Sequence, residues 1–144
     1  MPEFASVAEM MEQLSAQAVE IARDFAVELD FSAASVTELE EQLLDQLSAG
    51  VRSGESKPSD DEMAMMAKLW GAYLGETVRR EFGGEWRLER PMGAQAPSAA
   101  LLVRGATIFP TVKVFRRITM GEQENIAHFY GNVVERLRKT PPPS

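Results

Sequence analysis

An α+β fold is predicted for this chain, with three N-terminal helices, a small antiparallel sheet of about three strands and a C-terminal helix. Two observations predict it. Apolar residues recur at steps of three and four before the glycine pair at 83–84, as on one face of a helix, and beyond that pair polar and apolar residues alternate. The predicted strands then follow one another without an intervening helix, which favours an antiparallel meander over a doubly wound parallel sheet.

The first two helices are placed by their capping residues. A helix over 7–29 is predicted from its apolar stripe and from the N-cap Ser6, which is followed three residues later by a glutamate in a capping-box pattern. After a short break, Ser35 opens a second helix with the same pattern. Gly50 is predicted to end that helix, because glycine readily takes the left-handed conformation found there.

The third helix begins after the N-cap Ser59 and closes at the glycine pair 83–84. Its first turn carries three acidic residues, which suit the positive end of the helix dipole. Gly71 and Gly75 lie four residues apart and therefore share one side of the helix. Since glycine costs about 1 kcal/mol in a helix relative to alanine, this pair predicts close approach by another element.

The second half of the chain predicts the sheet and the last helix. Alternation over 85–90 and the short apolar run over 99–103 indicate two strands. Residues 107–118 are rich in β-branched and aromatic side chains and predict a third, in which Pro110 marks an edge, bulge or break. An apolar stripe over 122–138 predicts the C-terminal helix.

The chain of 144 residues has the length and composition of one domain, with 44% hydrophobic and 26% charged residues. We assign residues 1–139 to a single α+β domain with a linker-like loop at 52–59, and residues 140–144 to a Pro-rich tail. No stretch approaches the roughly 20 consecutive apolar residues of a membrane span, and the first residues lack the pattern of a secretory signal. These features predict a cytoplasmic protein with no membrane partner.

The residue types that most catalytic and metal chemistry needs are scarce. The chain has no cysteine, which excludes disulfides, cysteine nucleophiles and thiolate metal sites. The one histidine, His128, falls outside the apolar stripe of its helix and is predicted to be exposed. No phosphate-binding glycine loop and no serine nucleophile elbow is present. The sequence therefore predicts no catalytic residues, no metal, no cofactor and no enzyme activity.

Charge is distributed unevenly along the chain. Residues 1–62 carry a balance of −12 and residues 63–144 a balance of +5, within a net charge of −7. Overall acidity disfavours nucleic acid as a partner, so we interpret the basic cluster as a solvated face that the acidic helices balance. Its members are Arg79, Arg80, Arg87, Arg90, Arg104, Lys113, Arg116 and Arg117.

One candidate ligand-binding site lies where the third helix meets the first strand. If Tyr73, Glu76 and Trp86 converge in a pocket, they would bind a cationic or polar ligand with Glu76 as its anchor and Arg80 beside it. The competing interpretation is packing of a helix on a strand, with core aromatics and an ion pair from Glu76 to a neighbouring arginine. A ligand site requires Glu76 to point inward and to be incompletely paired.

The same stretch resembles a bacterial domain family of unknown function. The shared features are the helix motif Gly71-x-Tyr73-x-Gly75-Glu76, the strand entry Gly83-Gly84-x-Trp86, and a later Pro110…Lys113-Val114 segment before a terminal helix. The resemblance covers roughly the C-terminal half of the chain. It supports the architecture and implies no activity that transfers to particular residues.

The favoured function is a non-enzymatic protein-interaction module of adaptor or immunity type. Its predicted partner-binding residues are Glu38, Glu40 and Glu41 on the second helix and Met65 on the third. Substitution of the three glutamates is expected to weaken binding and to leave folding intact.

The methionines point to the kind of partner. Met63, Met65 and Met66 cannot all face inward on one stripe, so at least one is predicted to be exposed in an adaptable contact surface. We therefore expect a protein partner or self-association, for instance as a homodimer. The alternative function is a small-ligand-binding domain or an unrecognised enzyme, with its pocket around Tyr73, Glu76 and Trp86.

Overall fold

The computed structural model describes residues 6–142. The elements in chain order are α1 (Val7–Asp24), α2 (Ala33–Glu38), a π-helical segment (Leu39–Leu44), α3 (Asp45–Ser53), α4 (Asp60–Phe82), β1 (Glu85–Glu89), β2 (Ser98–Val103), β3 (Ala106–Ile108), α5 (Pro110–Met120), a 3-10 turn (Glu122–Glu124) and α6 (Ile126–Lys139). Because α2, the π-helical segment and α3 follow without a break, they form one helical run. Within the described residues, this leaves five continuous helices, the 3-10 turn and one sheet.

The sheet confirms the predicted antiparallel meander, with strand order β1-β2-β3. Trp86 of β1 lies opposite Leu101 of β2. The β2–β3 hairpin turns through Arg104 and Gly105, which both have positive φ, at 47° and 78°. Positive φ at both central residues is the geometry that matches the twist of a two-residue hairpin.

The prediction of a strand over 107–118 is wrong beyond Ile108, because α5 occupies Pro110–Met120. Proline at the first helical position loses no helical hydrogen bond and has its φ already set for a helix. The buried side chains Thr111, Val114 and Ile118 recur at steps of three and four, whereas Phe115 is exposed. That burial follows the helical period, and contact with α4 outweighs the strand preference of the β-branched residues.

Several helix boundaries differ from the predicted ones, and α6 begins at Ile126 rather than near residue 122. α1 ends at Asp24 and not near residue 29. Ser32, and not Ser35, caps α2, since the Ser32 hydroxyl accepts the N–H of Ser35 at 3.1 Å. The run ends at Gly54, whose φ of 83° is left-handed, and continues past Gly50. The predicted linker at 52–59 therefore begins with the last two residues of α3.

The predictions for α4 are confirmed. Ser59 caps the helix in a complete capping box. A Cβ atom on Gly71 would lie 2.6 Å from the Cα of Thr111, and one on Gly75 would overlap the ring of Trp86. The two glycines thus allow α5 and β1 to lie directly against α4.

α4 is the central helix of the core. Its residues from Leu69 to Val78 are all buried. It packs against α1, α5, α6 and β2. None of the helices formed by residues 6–142 is both long enough and apolar enough to cross a membrane. Residues 1–5 of the predicted domain and 143–144 of the predicted tail lie outside the described part of the chain.

Candidate functional site

Glu76, the predicted ligand anchor, is fully buried and fully paired. One carboxylate oxygen, Oε2, accepts the Nε–H of Arg79 at 2.5 Å and the Nε1–H of Trp86 at 2.9 Å, and Oε1 accepts a second Arg79 hydrogen bond at 2.9 Å. Burial alone would raise the pKa of this carboxyl group, but the hydrogen bonds from Arg79 and Trp86 outweigh it and hold the pKa below its usual value.

Tyr73 is also buried and uses its hydroxyl group in the fold. The hydroxyl lies 2.5 Å from the Ser35 Oγ and accepts the N–H of Phe31 at 2.7 Å. Burial raises the pKa of Tyr73. The guanidinium carbon of exposed Arg80 lies 3.4 Å from the centre of the Phe31 ring, which places a cation against the ring face.

The structure thus brings Glu76 and Trp86 into contact, while Tyr73 and Arg80 meet the loop between α1 and α2. Each buried polar group of the set has a partner within the chain. This arrangement fastens β1 and the α1–α2 loop to α4. It leaves no free carboxylate oxygen to anchor a ligand, so these residues explain the fold more directly than they explain binding.

The three glutamates of the predicted acidic face lie in different environments. Glu38 and Glu41 are exposed, whereas Glu40 is only 2% exposed. Arg117 donates to both carboxylate oxygens of Glu40 at 2.8–2.9 Å, and the N–H of Ile126 donates to Oε1 at 2.9 Å. Glu40 is therefore a structural ion-pair partner. Its substitution would disturb folding, contrary to the expectation from the sequence.

Four members of the predicted basic cluster make contacts within the fold, and the other four, Arg80, Arg87, Arg90 and Arg116, are exposed. Arg117 is buried and also donates to Asp45 at 2.7 Å. Lys113 pairs with Glu124 at 3.0 Å, and Arg79 pairs with Glu76. Arg104 donates from Nη1 to two carbonyl groups at the C-terminal end of α6. These residues do not form one open basic face. His128 is exposed, as predicted.

A third surface, which we call the apolar groove, lies between the end of α1, the π-helical segment with α3, and the first half of α4. It encloses about 470 Å³. Its lining residues are Ile21, Phe25, Gln42, Leu43, Gln46, Leu47, Met66, Leu69 and Trp70. A neighbouring cavity of about 510 Å³ shares Leu47 and Met66 and extends the groove along α4 to Glu62, Met65 and Lys57.

Phe25 projects at the mouth of the groove. Its side chain is 64% exposed, the largest exposure among the groove's apolar residues given above. The next residue, Ala26, has a φ of 61°. The N–H groups of Phe25 and Val27 both bond to the carbonyl of Ala22, which ends α1 at this point. A non-glycine residue in the left-handed region costs about 1–2 kcal/mol. The fold therefore accepts a local cost at Ala26 while it holds Phe25 at this position.

The helices that form the groove carry exposed acidic side chains. On α1, Glu20 and Asp24 adjoin Ile21 and Phe25 in sequence, and all four lie at the exposed end of the helix. Along the π-helical segment and α3, Glu41 adjoins Gln42 in sequence and is exposed, whereas Asp45, beside Gln46, pairs with the buried Arg117. Lys68 adjoins Leu69 in sequence, and the extension of the groove is lined by one acid and one base, Glu62 and Lys57. The groove is therefore apolar inside, and most of its walls come from the acidic half of the chain.

Sequence reasoning missed the groove, although one signal pointed toward it. Met65 is exposed and Met66 is half-buried in the groove, while Met63 is buried in the core. This is the mixture that the methionine spacing predicted. Phe25 carried no such signal, because it continues the apolar stripe of α1 and its exposure depends on where that helix ends.

No protein-family model matches the chain, and no curated protein or solved structure matches it significantly. The resemblance of the C-terminal half to a bacterial family stays a prediction. The structure gives its motif a physical role, since Gly75 makes room for Trp86 and Trp86 donates a hydrogen bond to Glu76.

Proposed function

We propose that this chain is a non-enzymatic protein-interaction module of adaptor or immunity type, and that the apolar groove is its docking surface. The observation that carries the proposal is the groove itself, which leaves the aromatic ring of Phe25 in water beside an apolar cavity of about 470 Å³. Exposed apolar surface rimmed by polar residues is typical of protein contact sites. Aromatic side chains in such patches often supply much of the binding energy.

The exposed members of the predicted partner-binding residues lie on elements that form this groove. Met65 lines its extension, and Glu38 and Glu41 lie on the helical run that forms one wall. Exposed charges of this kind speed association and select partners more than they add affinity. Glu40 is excluded from the proposed partner-binding residues because it is buried. The proposal keeps the cytoplasmic location and the absence of a cofactor that the sequence predicts.

The ligand-binding alternative receives no specific support. It requires an incompletely paired Glu76, and that carboxylate already accepts three hydrogen bonds from Arg79 and Trp86. The groove differs from the Glu76 region, because apolar side chains form most of its lining and Phe25 is 64% exposed.

Affinity capture with three baits tests the proposal. Wild type is compared with Phe25→Glu, which places a charge in the groove, and with Met92→Glu, which makes the same kind of change in a fully exposed loop outside it. We expect a protein from a lysate of the source organism to bind wild type and Met92→Glu and to be lost with Phe25→Glu. Equal capture by all three baits, or no stoichiometric protein on any of them, would contradict the proposal.

A further inference from the structure

We infer that the occupant of the apolar groove is a basic amphipathic helix of another protein. The inference rests on the proposed function and names the chemistry of its partner. It follows from the length of the groove, from the acidic residues on the helices that form it, and from the repulsion that those residues would cause between two copies of this chain.

The length of the groove matches a short helix. Along α4 the groove and its extension run from Glu62 to Trp70. That interval of eight residues corresponds to about 12 Å at the rise of an α-helix. In a docked helix, apolar side chains at positions i, i+3 or i+4, and i+7 span about 10.5 Å. The groove therefore takes three or four apolar anchors from about two turns of helix.

The charge on the walls selects the polar face of that helix. Glu20, Asp24 and Glu41 are exposed on two helical elements that form walls of the groove, and they belong to residues 1–62, whose charge balance is −12. Lysine and arginine reach such acids with their charged ends while their methylene groups cover the apolar edge. A helix with basic residues beside its anchors therefore complements both parts of the groove.

The same charges disfavour a second copy of this chain in a symmetric contact. Two grooves that face each other would bring their acidic walls together, and like charges across an interface oppose association. The nearest cation on α1, Arg23, already lies 3.8 Å from Glu20 and 3.5 Å from Glu28. Self-association through this face therefore lacks the charge complementarity that a basic helix has.

Fluorescence anisotropy with designed peptides tests the inference. The probe is a labelled peptide of about 18 residues, long enough to form helix on its own, with leucine at i, i+3, i+4 and i+7 and lysine on the remaining face. The comparison peptides are the same sequence with glutamate for lysine and a scrambled sequence of the original composition. Each is titrated with wild type, Phe25→Glu and Met92→Glu.

The expected result is that the lysine peptide binds wild type and Met92→Glu at least about tenfold more tightly than Phe25→Glu. Since both variants add one negative charge, simple attraction between opposite charges predicts tighter binding to both, so weaker binding to Phe25→Glu alone identifies the groove. Unchanged circular dichroism and melting temperature of Phe25→Glu exclude unfolding as the cause, and Phe25→Ser replaces it if it fails to fold.

Four results would overturn the inference. The first three are equal binding of the scrambled peptide, equal binding to both variants, and a dimer of the chain that Phe25→Glu dissociates. Preference for the glutamate peptide with the same dependence on Phe25 would also overturn it, but would leave the groove as a docking surface. The proposed function fails separately, in the capture experiment, if its partner does not depend on Phe25.

Discussion

Replacement of Gly71 by alanine tests how closely α4 and α5 pack. The new Cβ atom would lie 2.6 Å from the Cα and 2.8 Å from the backbone nitrogen of Thr111. Because both atoms are backbone, α5 itself must move, which places the cost near the upper end of the 1–3 kcal/mol typical of overpacking. Alanine recovers about 1 kcal/mol of helix propensity. We expect a net loss of about 2 kcal/mol in the free energy of unfolding.

Gly131→Ala is the matched control. Gly131 lies inside α6, is exposed, and has no heavy atom within 4 Å of its would-be Cβ. This variant should gain about 1 kcal/mol from propensity alone, so the two variants should differ by about 3 kcal/mol. Urea denaturation at constant m measures the difference. If Gly71→Ala is as stable as Gly131→Ala, α5 does not lie against α4 as described.

Three further predictions concern buried polar groups. Glu40→Ala should lower the free energy of unfolding by about 3 kcal/mol or more, because it leaves Arg117 buried with only Asp45 as a charged partner. The free energy of unfolding of the neighbouring variant Glu41→Ala should stay within about 0.5 kcal/mol of wild type. Chemical denaturation of both variants checks the contrast, and equal effects would show that Glu40 is not buried. Burial raises the pKa of Tyr130 to about 12, with Glu81 adding to the shift. The contribution of Tyr130 to the free energy of unfolding should be complete below pH 10 and should fall by about 2–3 kcal/mol as the pH approaches 12. Tyr130→Phe should lack that loss. An identical pH profile for the two proteins would refute the assignment of the raised pKa to Tyr130. The lowered pKa of Glu76 implies stability that is present above pH 4.5 and is lost as the pH falls through the pKa of the folded state. Acid titration of stability in wild type and Glu76→Gln measures it, and the prediction fails if the two curves are parallel.

Local signals predicted the elements whose boundaries depend on local chemistry. The capping box at Ser59 could be predicted from residue spacing because it is set within one helix, and the spacing of Gly71 and Gly75 predicted a close approach without showing that α5 and β1 make it. The cap requires no knowledge of distant neighbours, whereas the partners of the two glycines do.

Tertiary contacts decided the parts that sequence could not show. Over 110–118, β-branched residues favoured a strand, but Pro110 can equally begin a helix, and α4 supplied the apolar surface for one. Glu40 and Arg117 are separated by 77 residues, and only the folded chain shows that they meet. The groove likewise depends on where α1 stops, since an α1 that continued to residue 29 would place Phe25 differently.

The most direct test of the groove as a docking surface is a nuclear magnetic resonance titration of the isotopically labelled chain with the lysine-rich amphipathic peptide. The account predicts chemical-shift changes centred on residues 21–25, 42–47 and 65–70, which line the groove and its extension. Phe25→Glu should abolish these changes. Shifts centred instead on Arg80 and Trp86, or spread evenly over the acidic surface, would contradict it.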